Sequence, residues 1–235
     1  YYQALDSQFD FSYYYHTQEW AYGNGANYFG TAQAGETYDA FKTSNQVDVH
    51  INNQVLKFPG GSRSDFINSA FTSNHDIMRA INHVNDNTNK ITGLSSQINR
   101  AKVAAAMTIL NPGVSWIYYG DELGMSSNTD KHEELYKYDN NIDLWYRQPY
   151  KWLDEEVTPS YTFNSYKIEW DSYNKTIESL EEQEEKANDN DIYDVYKKLI
   201  EIKSLYGKNA KYRGYSSGNN NVMHFVVETD TSNFG

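Results

Sequence analysis

Phe66-Ile67-Asn68-Ser69-Ala70-Phe71-Thr72-Ser73-Asn74-His75-Asp76 holds a short apolar run, Phe66, Ile67, Ala70 and Phe71, that stops abruptly in polar residues. The run follows the break Pro59-Gly60-Gly61, and a run so bounded predicts a buried strand with polar groups at its C-terminal end. Downstream, Ser95 or Ser96 can cap a helix whose apolar face is Ile98, Val103, Ala104, Ala105, Met107 and Leu110, ended by Asn111-Pro112-Gly113. Val114-Ser115-Trp116-Ile117-Tyr118-Tyr119 then reads as a second strand, followed at once by Gly120-Asp121-Glu122. Strand, polar triplet, helix, strand, polar triplet is the rhythm of successive β/α units in a parallel sheet or barrel. In such folds the C-terminal ends of the strands carry the chemistry.

The flanks are less regular. Phe9-Asp10-Phe11 alternates like a half-buried strand, and Gly23, Gly25, Gly30 and Gly35 mark a surface loop over 20–36. Between Thr37 and Leu56, Val47, Val49 and Ile51 alternate like a strand, whereas Phe41, Ser44 and Val55 fit a helix face. Residues 126–170 read as a long irregular section. Ile192, Val195, Tyr196, Leu199 and Ile200 recur at helical spacing, from a cap at Asp189 or Asn190 to a stop at Gly207. Val222 to Glu228 alternates as one strand, which predicts the opening of a further domain, because one strand makes no sheet.

Composition narrows the function classes. The 235 residues include 22 Tyr, 10 Phe and 5 Trp, too aromatic for a disordered segment. The absence of Cys excludes a disulfide framework, a zinc ribbon and a thiol nucleophile. A net charge of -12 repels phosphate backbones and anionic membranes, so neither nucleic acid nor membrane is expected as a partner. Apolar stretches are too short to span a bilayer. Tyr1-Tyr2-Gln3 begins no export signal, so any such signal is expected to lie upstream or to have been removed.

Several motifs fail on inspection. His132-Glu133-Glu134-Leu135-Tyr136 has Tyr where a helical zinc protease needs its second His, and Gly23-Asn24-Gly25 lacks the third glycine of a dinucleotide fingerprint. The Asp and Asn clusters at 85–89 and 188–191 lack the turn glycine and terminal Glu of a calcium loop. The acidic run from Glu178 to Glu185 reads as a solvated helix face or surface segment.

Asn74-His75-Asp76 is the strongest chemical signal, a carboxylate and an imidazole directly at a strand end, where a barrel enzyme places its catalytic groups. Alternatively, Asn and Asp there satisfy the local backbone of a turn. The stretch from Phe66 to Asp76, followed by Arg79, resembles the seventh-strand motif of the α-amylase family, glycoside hydrolase family 13. Arg100 through Met125 resembles that family's seventh helix and eighth strand, and Leu5-Asp6-Ser7 with Phe9-Asp10-Phe11 its sixth strand. Arg147-Gln148-Pro149-Tyr150-Lys151-Trp152 is similar to its Arg-x-Pro-Met-x-Trp segment, with a departure at Tyr150. Glu182-Gln183 and the stretch from Tyr196 to Lys203 resemble the approach to and body of its last barrel helix, in the family's order.

The resemblance implies an α/β protein, a (β/α)8 TIM barrel of which this chain holds about strands six to eight with their helices (1–207), followed by the start of an antiparallel β domain (208–235). It implies a retaining α-glycosidase acting on starch or maltooligosaccharides. Asp76 matches the carboxylate that stabilises the transition state, and His75 a residue bonded to the same sugar. Asn74, Arg79 and Arg147 are expected at substrate, with Tyr119 and Glu122 shaping the site floor. Retention requires a nucleophilic Asp and an acid/base Glu about 5 Å apart. Neither motif occurs in the sequence, so the chain is expected to be inactive alone and to need the N-terminal barrel half, from the same parent or another chain. No cofactor is expected in these residues, and calcium, where the family binds it, belongs to the absent part. An exo-acting α-glucosidase or oligo-1,6-glucosidase is the alternative enzyme, and a non-catalytic carbohydrate-binding relative the alternative of another class. A secreted or cell-surface bacterial location is expected, with a cytoplasmic one left open.

Overall fold

The computed structural model describes residues 9–11, 13–14, 17, 21, 69–77, 79–85, 94–111, 113–126, 146–153, 161–163, 166–168, 180–181, 184, 191–206, 211–215 and 224–228. In chain order the elements are β1 (Ser69–Phe71), α1 (Ala80–Asn85), α2 (Leu94–Ile109), β2 (Val114–Trp116), a 3-10 turn (Asp121–Leu123), β3 (Tyr161–Phe163), β4 (Tyr166–Ile168), α3 (Ile192–Ser204), β5 (Lys211–Tyr215) and β6 (His224–Glu228). The chain divides into two compact units: residues 1–71, 103–116 and 198–235, and residues 72–102 and 117–197.

In the first unit β1 and β2 pair in parallel, Ser69 opposite Val114 and Phe71 opposite Trp116. Phe9 adds a parallel bridge to Ser69, and the Asp10 N–H donates to the Ser69 carbonyl at 3.0 Å. β1 is therefore central and buried at all three positions, as expected of a parallel strand covered on both faces. Phe71 stacks on Tyr14 with ring centroids 5.1 Å apart and meets Phe9 and Phe11 edge-on. Phe9 and Phe11 are nevertheless half exposed, as are Val114 and Trp116 of β2.

Phe9-Asp10-Phe11 is not one strand. Asp10 caps a helical segment that begins at Phe11: its carboxylate accepts the Tyr13 N–H at 2.9 Å and its carbonyl the Tyr14 N–H at 3.0 Å. Burial pushes the Tyr13 phenol up, and its hydroxyl donates to the Met107 carbonyl at 2.8 Å. That bond helps to finish α2. The last four carbonyls of a helix have no partner within it. Here Ala106 accepts the Leu110 N–H, Met107 the Tyr13 hydroxyl, and Thr108 and Ile109 the Ser115 hydroxyl. Beyond the helix, the Lys203 ammonium donates to the carbonyls of Asn111 and Gly113, and burial lowers its pKa to about 8.

α2 spans Leu94–Ile109, so Ser95 and Ser96 stand within the helix and not ahead of it. Its buried stripe is Ala101, Ala104, Ala105 and Thr108, joined by Met107 and Ile109. Val103, expected on that face, is exposed because it falls on the opposite side of a 3.6-residue repeat. In α3, Ile192, Tyr196 and Leu199 are buried, whereas Ile200 is exposed. The second strand ends at Trp116, leaving Ile117, Tyr118 and Tyr119 outside it.

The lone final strand has a partner: β6 pairs antiparallel with β5, His224 opposite Tyr215. The irregular section also holds a hairpin, β3 with β4, Tyr161 opposite Ile168. Within the acidic run, Leu180, Glu181 and Glu184 are helical, and the two glutamates are exposed, as a solvated face requires. Ala21, inside the loop expected over 20–36, is helical and buried instead. The rest of that loop and the expectations for 37–56, 59–61, Asp189, Asn190 and Gly207 fall outside the described residues. Among the described residues no helix is long and apolar enough to cross a membrane.

Candidate functional site

The site is built from the residues that leave β1 and β2. Asn74 and Ile77 form a tight bridge, and the Asn74 side-chain oxygen accepts the Asp76 N–H at 2.8 Å. Asn74 thus closes its own turn, the role asparagine plays when its side chain mimics a backbone carbonyl. The turn projects His75 and Asp76 outward, with side chains 63% and 58% exposed. Arg147, 71 positions downstream of Asp76, reaches this turn: Nη2 donates to Asp76 Oδ1 at 2.8 Å and Nε to the His75 carbonyl at 2.9 Å. The other carboxylate oxygen lies 3.2 Å from His75 Nε2.

An exposed ion pair of this kind contributes about 0–1 kcal/mol to stability. The cluster therefore adds little to the fold. It presents a fixed carboxylate, an imidazole and a guanidinium to solvent, a set suited to hydroxyl-rich ligands and to developing positive charge.

Beneath the turn the polar residues are buried. Arg79, expected at substrate, is 0% exposed, so it cannot touch one. Its Nε donates to Gln148 Oε1 at 2.8 Å and its Nη1 to the Tyr119 carbonyl at 2.7 Å. The guanidinium lies 4.9 Å from the ring centroids of both Tyr118 and Tyr119, within cation-π range. Asp121 lies nearby, its Oδ1 4.0 Å from Arg79 Nη1, while Oδ2 accepts the hydroxyls of Ser73 and Thr72. Burial raises the Asp121 carboxyl to about 6, against the lowering pull of Arg79 and the Ser73 hydroxyl. A buried charge needs a partner and hydrogen bonds, and the arrangement supplies them in part: Asp121 Oδ1 and Arg79 Nη2 are buried without a hydrogen bond.

The 3-10 turn orients the remaining candidates. Gly120 sits at φ 88°, and a Cβ there would meet Met125 Sδ, so a side chain at this position is strained and must displace Met125. Glu122 folds back to accept the Gly120 N–H at 2.9 Å, and its carboxylate acts on the Tyr150 phenol. Burial, followed by the Glu122 charge, pushes that phenol up. Tyr119 is 38% exposed, and its hydroxyl donates to the Gln148 carbonyl at 2.7 Å.

The structure thus brings Asn74, His75, Asp76 and Arg147 together, and sets Arg79, Tyr119 and Glu122 in the polar layer and turn behind them. Gln148 and Asp121 were not expected among the working parts. No sequence signal marks Gln148, since its partner Arg79 lies 69 positions away. Among the described residues no group of three His, Cys, Asp or Glu could hold a metal ion.

Residues 5–210 match the family model described as the catalytic domain of alpha amylase. The chain is 28% identical over 181 residues to Alpha-amylase 3 of Dictyoglomus thermophilum, covering 74% of this chain and 29% of the relative. It is 27% identical over 207 residues to Alpha-amylase SusG of Bacteroides thetaiotaomicron, covering 88% and 23%, and 27% identical over 168 residues to an alpha-glucosidase of Apis mellifera, covering 67% and 27%. The chain therefore spans less than a third of the length of these relatives. Among solved structures, the alpha-amylase from H. orenii superposes with a TM-score of 0.63 at 20% identity, over 98% of this chain and 38% of that one. Amy13B of Eubacterium rectale does so with 0.61 at 19%, with the same coverage. The likeness to these two is one of fold, the (β/α)8 barrel.

Proposed function

The chain belongs to the α-amylase family of glycoside hydrolases, and we propose that it forms the strand-six-to-eight part of a barrel whose intact protein hydrolyses α-1,4-glucosidic bonds with retention. The observation that carries this reading is the exposed Asp76 at the end of β1, held by Arg147 at 2.8 Å and flanked by His75 at 3.2 Å. An oxocarbenium-like transition state gains from fixed negative charge and from hydroxyl hydrogen bonds that strengthen as the sugar ring flattens. In this reading Asp76 supplies the charge and bonds the ring hydroxyls, His75 bonds the same sugar, and Asn74 holds the turn. Arg147 fixes the carboxylate, and Tyr119 and Glu122 shape the floor.

The nucleophile and the acid/base are assigned to strands outside this sequence, so these residues alone have no hydrolase activity. The half-exposed Phe9, Phe11, Val114 and Trp116 support the need for more barrel, because an exposed apolar face on a parallel sheet is a liability. We assign that cover to the N-terminal barrel half. Any calcium is likewise assigned to the remainder of the protein. The antiparallel β5 and β6 favour reading 208–235 as the opening of a β domain. Starch, maltooligosaccharides or related α-glucans are the proposed substrates, and an enzyme acting on the polymer works outside the membrane it cannot cross, in a secreted or cell-surface location.

The second reading, an exo-acting α-glucosidase, is favoured by the similarity to the Apis mellifera alpha-glucosidase. Maltoheptaose hydrolysis by the intact protein, with anomers followed by NMR, separates the two by product length and tests retention. Asp76→Asn is expected to cost orders of magnitude in turnover with a modest change in glucan affinity. Unaltered turnover overturns the assignment and favours a non-catalytic binding relative.

A further inference from the structure

We infer that Gln148 is a positioning residue that sets Arg147 on Asp76, with Arg79 as its buried anchor, an inference that rests on the glycosidase reading of the site. Three consecutive residues show why. Tyr146 and Gln148 are buried, Gln148 completely, and between them Arg147 turns to the surface. Both flanks are tied down. The Tyr118 hydroxyl donates to the Tyr146 carbonyl at 3.0 Å, and the Tyr119 hydroxyl to the Gln148 carbonyl at 2.7 Å. The Gln148 side chain accepts from Arg79 Nε at 2.8 Å and donates to the Ser126 carbonyl at 3.2 Å. Arg79 Nη1 returns to the Tyr119 carbonyl at 2.7 Å, which closes a ring through Arg79, Gln148 and Tyr119.

A ring of short hydrogen bonds in a buried site is rigid, because each member would be left unsatisfied by movement of another. Arg147 projects from this ring to make two bonds to the turn that carries Asp76. The carboxylate is on an exposed turn, and the guanidinium that orients it is fixed from behind by a residue that touches no ligand. Displacing a charged group by about 1 Å can cost about a hundredfold in rate.

The test uses the intact protein that carries this chain. Gln148→Leu keeps the volume and deletes the hydrogen bonds, and Gln148→Glu retains an oxygen for Arg79. We expect Gln148→Leu to lower kcat on maltoheptaose about a hundredfold with KM within about threefold, the signature of an interaction made in the transition state. Gln148→Glu should recover most of that loss. Combined with Arg147→Ala, Gln148→Leu should cost nothing further, because its effect passes through Arg147. Losses that multiply in the double variant, or a failure of Gln148→Glu to rescue, overturn the inference. If Gln148→Leu does not fold, Tyr119→Phe removes one hydroxyl from the ring and is read in the same cycle with Arg147→Ala. If the wild-type protein does not turn over glucan, the functional reading fails on its own. The inference is then decided by a crystal structure of Gln148→Leu or Tyr119→Phe: Arg147 displaced from Asp76 upholds it, and Arg147 still seated there overturns it.

Discussion

Replacing Arg79 by Met keeps the buried stem and deletes the guanidinium. Gln148 Oε1 and the Tyr119 carbonyl lose their donors, and Asp121 loses the cation 4.0 Å from its Oδ1. Burial already holds the Asp121 carboxyl at about 6 against an ordinary 3.8, with Arg79 the largest influence pulling it down. Ionising that carboxyl therefore costs the folded state about 3 kcal/mol more than the unfolded chain. The sign follows from proton binding. The folded form holds the proton more tightly, so stability falls as pH rises from 3.8 to about 6, and the penalty is constant above that. Without Arg79 the carboxyl rises further and the penalty extends to higher pH. Arg79→Met is expected to cost about 3–5 kcal/mol at pH ~8, the range for removing one partner of a buried ion pair. The cost should be clearly smaller at pH ~5, where the folded carboxyl is largely protonated in both proteins. Urea denaturation of the intact protein, followed by tryptophan fluorescence at both pH values, reads the difference. Asp121→Asn in the Arg79→Met background should recover much of the loss at the higher pH. Equal losses at the two pH values, with no recovery in the double variant, refute the idea that Arg79 compensates a buried carboxylate.

Two further outcomes are expected. Gly120→Ala forces a side chain into φ 88° and against Met125, and should lower stability by more than about 1 kcal/mol, measured as a fall in Tm. Phe71→Ala removes the ring that meets Tyr14, Phe9 and Phe11 and should cost about 3–5 kcal/mol in denaturant unfolding; a cost below about 1 kcal/mol would show that the cluster contributes little.

The strand before Asn74-His75-Asp76 was legible because an apolar run with turn residues at its end has few other uses. The buried spacing of Ile192, Tyr196 and Leu199 was legible for a similar reason, since it follows the helical period. β5 was not, because Lys-Tyr-Arg-Gly-Tyr has no apolar alternation and a glycine inside it, and its strand character comes from pairing with β6. Arg79 misled for a physical reason: charged residues are rarely fully buried unless paired, and its partners Tyr119 and Gln148 lie 40 and 69 positions away. The motif around Asp76 marked the exposed part of the candidate site, whereas the buried layer beneath it depends on contacts no local pattern records. Asn74 showed the reverse, its residue type suiting both a ligand contact and the turn it closes.

The first compact unit gathers residues 1–71, 103–116 and 198–235. Tyr13 reaches the Met107 carbonyl across 94 positions, and Lys203 reaches Asn111 across 92. On a ribosome adding about 5–20 residues per second, the 127 residues that follow Phe71, up to and including Lys198, take roughly 6–25 s to appear. For that interval Phe71 and its aromatic neighbours have been synthesised while the segment containing Lys203 has not. Cotranslational folding of this unit must therefore wait on a late arrival, with its aromatic cluster made long before the segment that completes it.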